Sequence, residues 1–202
     1  LMKITGAMTA IATPMSEDGS VDYSCLNKLI DYQIDNSISG IVAVGTTGES
    51  ATIDFEDHIK LIEFFIKISD GRVHIIAGTG ANSTEEALHL TREAKNLGAD
   101  AALLVSPYYN KPPQEGIYRH HAKIADEVDI PQILYNVPSR TASFIEPETV
   151  KRLSSHQNIM GIKDATGDMK NLTEVLKLCE VDIKSKNFFL YSGDDFSSLE
   201  FL

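Results

Sequence analysis

Lys163 closes an apolar run in "NIMGIKDATGD", residues Asn158 to Asp168. An amine carried into low dielectric is costly unless it is paired or gives up its proton, and the unprotonated amine is the form that attacks a carbonyl to make a Schiff base. Side chains alternate along a strand, so Ile159, Gly161 and Lys163 share one side while Met160 and Ile162 share the other. A plainer reading stands beside this one, in which the lysine snorkels from the strand end or pairs with Asp164.

Hydroxyls and a guanidinium stand at the ends of other apolar runs. "GTTGES" carries Thr46 and Thr47 in a glycine-bounded turn, "SPYYNKPP" carries Tyr108 and Tyr109, and "YNVPSRT" carries Tyr135 and Arg140. Schiff-base chemistry needs proton transfers as the carbinolamine forms and collapses. Tyr135 can relay them if its hydroxyl is held in a chain with Thr47 and Tyr109. Arg140 can clamp a carboxylate with two parallel N–H bonds, and the "GTTG" turn offers backbone N–H groups and hydroxyls to an anion. The structural alternatives are a core tyrosine, a surface arginine and an ordinary tight turn.

The elements that must position these groups follow a regular order. Strand-length apolar runs start at Gly6, Gly40, Val73, Asp100, Pro131, Asn158 and Phe188, about 27 to 34 residues apart, the length of a βα unit. Most are apolar at every position, as in parallel strands buried on both faces. Between them, Leu26/Leu29/Ile30/Ile34, Ile59/Ile62/Ile66, Leu90/Ala94/Leu97, Val150/Leu153 and Leu172/Leu176/Cys179 step by three and four, as on helices. Asp22 and Asp54 stand at helix starts, and Ser83 with Glu86 has capping-box spacing. This order fits a doubly wound sheet or a (β/α)8 barrel, and seven units without reversal favour the barrel. A seventh helix is expected from Asp195, with no eighth strand before Leu202. In a barrel the strand C-terminal ends carry the site, which is where the groups above fall.

Composition excludes other classes. The 202 residues are 43% hydrophobic and 23% charged, with a formal net charge of −11. This suits one globular domain over residues 1–202 and repels nucleic-acid phosphates and anionic lipid. No window is long and apolar enough to span a membrane, and "LMKITGAMTAIATP" lacks a secretory signal, so a cytoplasmic protein is expected. Cys25 and Cys179 read as small buried thiols without a metal-ligand partner. "GTGANS" from Gly78 lacks the third glycine of a dinucleotide fingerprint, and "GTTGES" lacks the lysine of a phosphate loop. His120 and His121 point about 100° apart on a helix and do not chelate one ion, and His58 has no near partner in sequence, so solvated or core histidines are expected and no metal is implied.

The motifs "GAMTAIATPM", "VGTTGESATI", "IIAGTGANST", "VSPYYNKPPQEG", "LYNVPSRT", "GIKDATGD" and "LYSGDD" together resemble the class I, lysine-dependent pyruvate aldolases and lyases, and within them the family of dihydrodipicolinate synthases. N-acetylneuraminate lyases are a poorer match, with Ser-Thr at positions 46 and 47 and no arginine in "VPSRT". The resemblance implies that Lys163 takes pyruvate and that Tyr135, Thr47 and Tyr109 relay protons, with Tyr109 supplied across a dimer interface. It also implies that Thr46 belongs to the site, that Arg140 binds the carboxylate of L-aspartate 4-semialdehyde, and that Gly193 lines the pocket. The implied reaction makes 4-hydroxy-tetrahydrodipicolinate, toward diaminopimelate and lysine, without metal or organic cofactor, in a dimer or dimer of dimers (a homotetramer). Ser50, Ala51, His58, Asn82, Glu86 and Tyr108 match an allosteric lysine site, and Phe55 stands where lysine-sensitive forms often carry histidine, so weak feedback is expected. The family adds an eighth βα unit and a C-terminal helical extension, so the expected fold is a (β/α)8 barrel shortened to about seven units. The competing readings are a non-catalytic truncated member and a pyruvate aldolase for another aldehyde.

Overall fold

The computed structural model describes residues 3–201. β1 (Met8–Ala10) leads through α1 (Tyr23–Asp35) to β2 (Gly40–Ala43), and α2 (Phe55–Ser69) and α3 (Thr84–Leu97) flank β3 (His74–Gly78). Next come β4 (Ala101–Val105), α4 (Gln114–Glu127), β5 (Gln132–Asn136), the short α5 (Pro138–Thr141) and α6 (Pro147–Ser154). After these come β6 (Ile159–Asp164), α7 (Met169–Leu178), α8 (Glu180–Lys184), β7 (Phe189–Ser192) and α9 (Ser198–Phe201). The strand order is the chain order, β1 to β7. Pairs β1–β2, β2–β3, β5–β6 and β6–β7 are parallel. A doubly wound sheet would reverse its order at a switch point, and none is present.

Contacts divide the chain into two compact units. The first holds residues 3–79 and Leu90–Ala102, and the second Gly80–His89 and 103–201. Leu26, Ile30, Ile41, Leu61, Ile62, Phe65 and Ile75 build the core of the first. Ile117, Leu134, Ile145, Val150, Leu153, Ile162, Val175 and Phe188 build that of the second. Each such side chain, fully buried, contributes about 1.5–3 kcal/mol against its exposed state.

The helix starts follow the sequence signals. Asp22 accepts from the Cys25 N–H and Asp54 from the Asp57 N–H, while Ser83 Oγ accepts from the Glu86 N–H at 3.4 Å. Asp168 caps α7 in the same way, and each such cap stabilises its helix by about 1 kcal/mol.

Several expectations change. The apolar run from Gly6 yields only the three residues of β1. Gly6 sits at φ +95° with its Cα against Ser39, and further on Thr13 turns its hydroxyl to the Gly48 carbonyl at 2.7 Å. β2 stops at Ala43 because Val44 adopts φ +52°. α4 has no counterpart among the expected helices, since its buried face includes His120 and His121 beside Ile117 and Ile124 and reads as polar. Cys179 is buried, but Cys25 is exposed, because α1 turns Leu26 and Ile30 to the core instead. The last helix begins at Ser198, after a turn in which Asp194 accepts from the Ser197 N–H and hydroxyl.

Candidate active site

The second unit positions Lys163. In the sheet register it pairs with Tyr135 of β5 on one side and Tyr191 of β7 on the other. In-register neighbours share a face, so two phenols flank one amine. Lys163 Nζ lies 4.5 Å from the centre of the Tyr135 ring, and Tyr135 itself is buried. Burial lowers the pKa of Lys163, opposed in part by the negative charge of Asp195. Desolvation thus wins, and the neutral, nucleophilic amine is more populated than on an exposed lysine.

The plainer reading of Lys163 as the partner of Asp164 does not hold. Asp164 is buried on the opposite face of β6. Its carboxylate accepts from the Thr166 N–H at 2.9 Å, the Thr166 hydroxyl at 2.6 Å and Asn171 Nδ2 at 3.0 Å. These bonds shape the turn after β6 and satisfy the acid without the lysine.

Two glycines make room on the lysine side. At Gly193 a Cβ would stand 2.7 Å from Lys163 Cε and 2.9 Å from Cγ, so the lysine stem lies directly against this backbone. The Gly193 N–H donates to the Asp164 carbonyl at 2.7 Å, which fixes the end of β7 beside the end of β6. At Gly161 a Cβ would meet the Phe189 carbonyl at 2.4 Å and the Tyr191 ring at 2.9 Å. Tyr191 was not among the expected site residues. Its only sequence signal is the two-residue step to Gly193 on an apolar strand.

Arg140 is exposed on α5, at the C-terminal side of β5. Its loop is built on buried polar bonds: Asn136 Nδ2 donates to the Ile145 carbonyl and Asn136 Oδ1 accepts from the Ile145 N–H. Thr141 Oγ1 donates to the Ser143 carbonyl at 2.7 Å, and Ser143 Oγ donates to the Pro107 carbonyl at 2.8 Å. The loop bearing Arg140 is thereby tied to the loop bearing Tyr108 and Tyr109. Tyr109 has φ +72° and is 89% exposed, so its ring projects into solvent.

Tyr108, Glu86 and Asn82 gather in this unit. Burial raises the Tyr108 pKa and the Glu86 charge adds to it, while a hydrogen bond with the Asn82 backbone acts the other way. The remaining expected residues belong to the first unit. Thr46 is half-buried and Thr47 exposed in a turn closed by the Glu49 N–H donating to the Thr46 carbonyl at 3.1 Å. Ser50 and Ala51 lie in a 3-10 turn, Ser50–Thr52. His58 is buried with Nε2 2.7 Å from the Gly78 carbonyl, and burial lowers its pKa. His120 and His121 are core side chains. Among the described residues, no group of three His, Cys, Asp or Glu could hold a metal ion, and no helix is long and apolar enough to cross a membrane.

The Dihydrodipicolinate synthetase family model matches residues 3–202. The 4-hydroxy-tetrahydrodipicolinate synthase of Alcanivorax borkumensis is 54% identical over 199 residues, 98% of this chain and 66% of that protein. The chain therefore spans about two thirds of the length of the curated relatives it matches. Dihydrodipicolinate synthase from Aquifex aeolicus superposes with a TM-score of 0.92 at 47% identity, over 97% of this chain and 65% of that one. The chloride-inhibited enzyme from Acinetobacter baumannii, complexed with pyruvate, gives 0.92 at 49% identity over 98% and 67%. The fold is that of these proteins, with seven βα units of a (β/α)8 barrel. By sequence and by fold, the chain belongs to the dihydrodipicolinate synthetase family.

Proposed function

We propose that this site condenses pyruvate with L-aspartate 4-semialdehyde to 4-hydroxy-tetrahydrodipicolinate, a lyase step toward diaminopimelate and lysine. The observation that carries the reading is a strand-borne lysine amine, lowered in pKa by burial and lying against a buried tyrosine ring. The neutral amine adds to C2 of pyruvate, and the carbinolamine loses water to an iminium. Loss of a C3 proton gives an enamine whose C3 attacks the aldehyde carbon. The amine of the semialdehyde then adds at C2, closes the ring and releases Lys163.

Each transfer needs a group that can hold and return a proton, and Tyr135, in register with Lys163 and with its ring centre 4.5 Å from the amine, is placed to do so. By the family pattern, Thr47 and Tyr109 are assigned to the relay, Thr46 to the pyruvate carboxylate, Gly193 to the pocket lining and Arg140 to the second carboxylate. The exposure of Tyr109 suits a ring that serves a neighbouring subunit, hence a dimer or dimer of dimers. The reading needs no cofactor and suits a cytoplasmic protein.

The gathering of Asn82, Glu86 and Tyr108 within one unit supports an effector role for lysine, to which the family pattern adds Ser50, Ala51 and His58. With Phe55 in place of a polar ring, lysine feedback is weak, and a lysine titration of the activity should leave it largely unchanged at sub-millimolar concentration. The condensation itself is tested by supplying the chain with both substrates and following ring formation. Product from this aldehyde supports the reading, product only from other aldehydes assigns a different aldolase, and no product from a folded sample overturns it.

A further inference from the structure

Lys163 and Tyr191 are in-register partners on β6 and β7, yet their side chains do not stack side by side. The Tyr191 ring leans back over Gly161, two residues before the lysine, where a Cβ would be 2.9 Å from ring carbon Cε2. The Lys163 stem leans forward over Gly193, two residues after the tyrosine, where a Cβ would be 2.7 Å from Cε. Each large side chain thus occupies the space that the glycine diagonal to it leaves empty. Such interdigitation is dense, and it leaves little room for water between the ring and the lysine stem, although β7 itself is half-buried.

We propose that Tyr191 is a positioning residue for Lys163, its ring over Gly161 forming the dry floor that keeps the lysine stem seated over Gly193 and its amine poorly solvated. This rests on the Schiff-base reading above and deepens it. The ring, not the hydroxyl, carries the effect. Burial pushes the Tyr191 phenol up to about 12, so it stays neutral across the working range and adds no charge beside the amine. Other groups stand near the amine. Tyr135 faces it from β5, Asp195 acts from beyond β7 and raises its pKa, and Asp164 is turned to the opposite face with Thr166 and Asn171. Asp194 is held by Ser197.

The test is a direct titration of Lys163, independent of any substrate. The chain and its variants are labelled with trace acetic anhydride across a pH series, and the extent at Lys163 is read by peptide mass spectrometry against the exposed Lys177. Tyr191→Phe should leave the Lys163 midpoint where it is. Tyr191→Ala should move it upward by at least about half a pH unit, a loss of about threefold in neutral amine at fixed pH. If Tyr191→Ala does not fold, Tyr191→Thr, which suits a strand, should shift the midpoint in the same direction. An unchanged midpoint in a folded Ala or Thr variant, or a Tyr191→Phe shift as large as that of Ala, overturns the proposal. Pyruvate and borohydride applied to the same parent sample separate the two claims. Failure to form an adduct there counts against the Schiff-base reading, whereas the titration alone decides the role of Tyr191.

Discussion

Two places in the second unit put a basic nitrogen out of water, with different consequences. Lys163 stands at the end of β6, half-buried, with Tyr135 and Tyr191 on its flanks. His120 and His121 lie in the middle of α4, 4% and 0% exposed, with their rings edge to face at 5.0 Å. His120 meets the Thr84 hydroxyl at 2.9 Å, while its other nitrogen and both nitrogens of His121 have no partner among the described residues. Burial holds the His120 pKa down to about 4 and that of His121 well below the ordinary value, with the neighbouring His120 adding to the latter. Desolvation is common to both places, so it does not by itself make a reactive site. The lysine adds partial access and an adjoining phenol, and the histidines add neither. At a strand end, the nitrogen can meet a substrate. Inside a helix face, one turn from Ile117 and Ala125, His121 can only cost stability.

The sharpest way to break this contrast is to remove the amine. Lys163→Met should abolish the borohydride-trapped pyruvate adduct while the far-UV circular dichroism stays native, since the unbranched methionine chain reaches as far as the lysine Cε and still fills the space over Gly193. A trapped adduct in this variant would move the chemistry elsewhere. Next in size is Tyr135→Phe, which keeps the ring against Lys163 but removes its proton-carrying group. Stopped-flow adduct formation should slow by about 10²–10⁴-fold at unchanged Lys163 midpoint. A shifted midpoint with an unchanged rate would make Tyr135 only a wall.

The histidines are tested by acid. Their folded pKa values lie below the unfolded value of about 6.5. Above that value both states are neutral and nothing is lost. As pH falls below it, the unfolded chain takes up protons that the folded chain refuses. Stability should therefore decline from about pH 6.5 toward the folded value of His120, by up to about 1.4 kcal/mol per pH unit for each histidine. Urea midpoints across that range measure this against His120→Gln and His121→Leu, which should flatten the slope. The smallest effect is at neutral pH, where His121→Leu should stabilise the chain by about 1 kcal/mol by removing two unpartnered buried nitrogens. A loss of stability would reveal a partner for His121.

The same contrast explains what could be read from the chain before its fold. Lys163 is conspicuous because a charge interrupts an apolar strand, and Tyr135 because a hydroxyl stands near the end of the preceding one. The strands and most helices followed from runs and steps of apolar residues, which depend only on neighbours along the chain. α4 was hidden because two of its buried positions are histidines, whose chemistry says surface while their packing says core. The role of Tyr191 was hidden for a different reason. Its ring meets Gly161, thirty positions earlier, only once β6 and β7 are in register, and no local pattern encodes that register. Asp164, adjacent in sequence to Lys163, was the natural partner on paper, and the two-residue period of the strand sends it to the other face.

The central claim is that Lys163 is a nucleophile at neutral pH because its surroundings keep it poorly hydrated. The most direct measurement is to incubate the chain with pyruvate, reduce with borohydride and map the modified peptide. The account predicts a single stable adduct on the peptide containing Lys163, in preference to exposed lysines such as Lys60 and Lys177. Modification spread over the exposed lysines, with Lys163 unmodified in a folded sample, would contradict it.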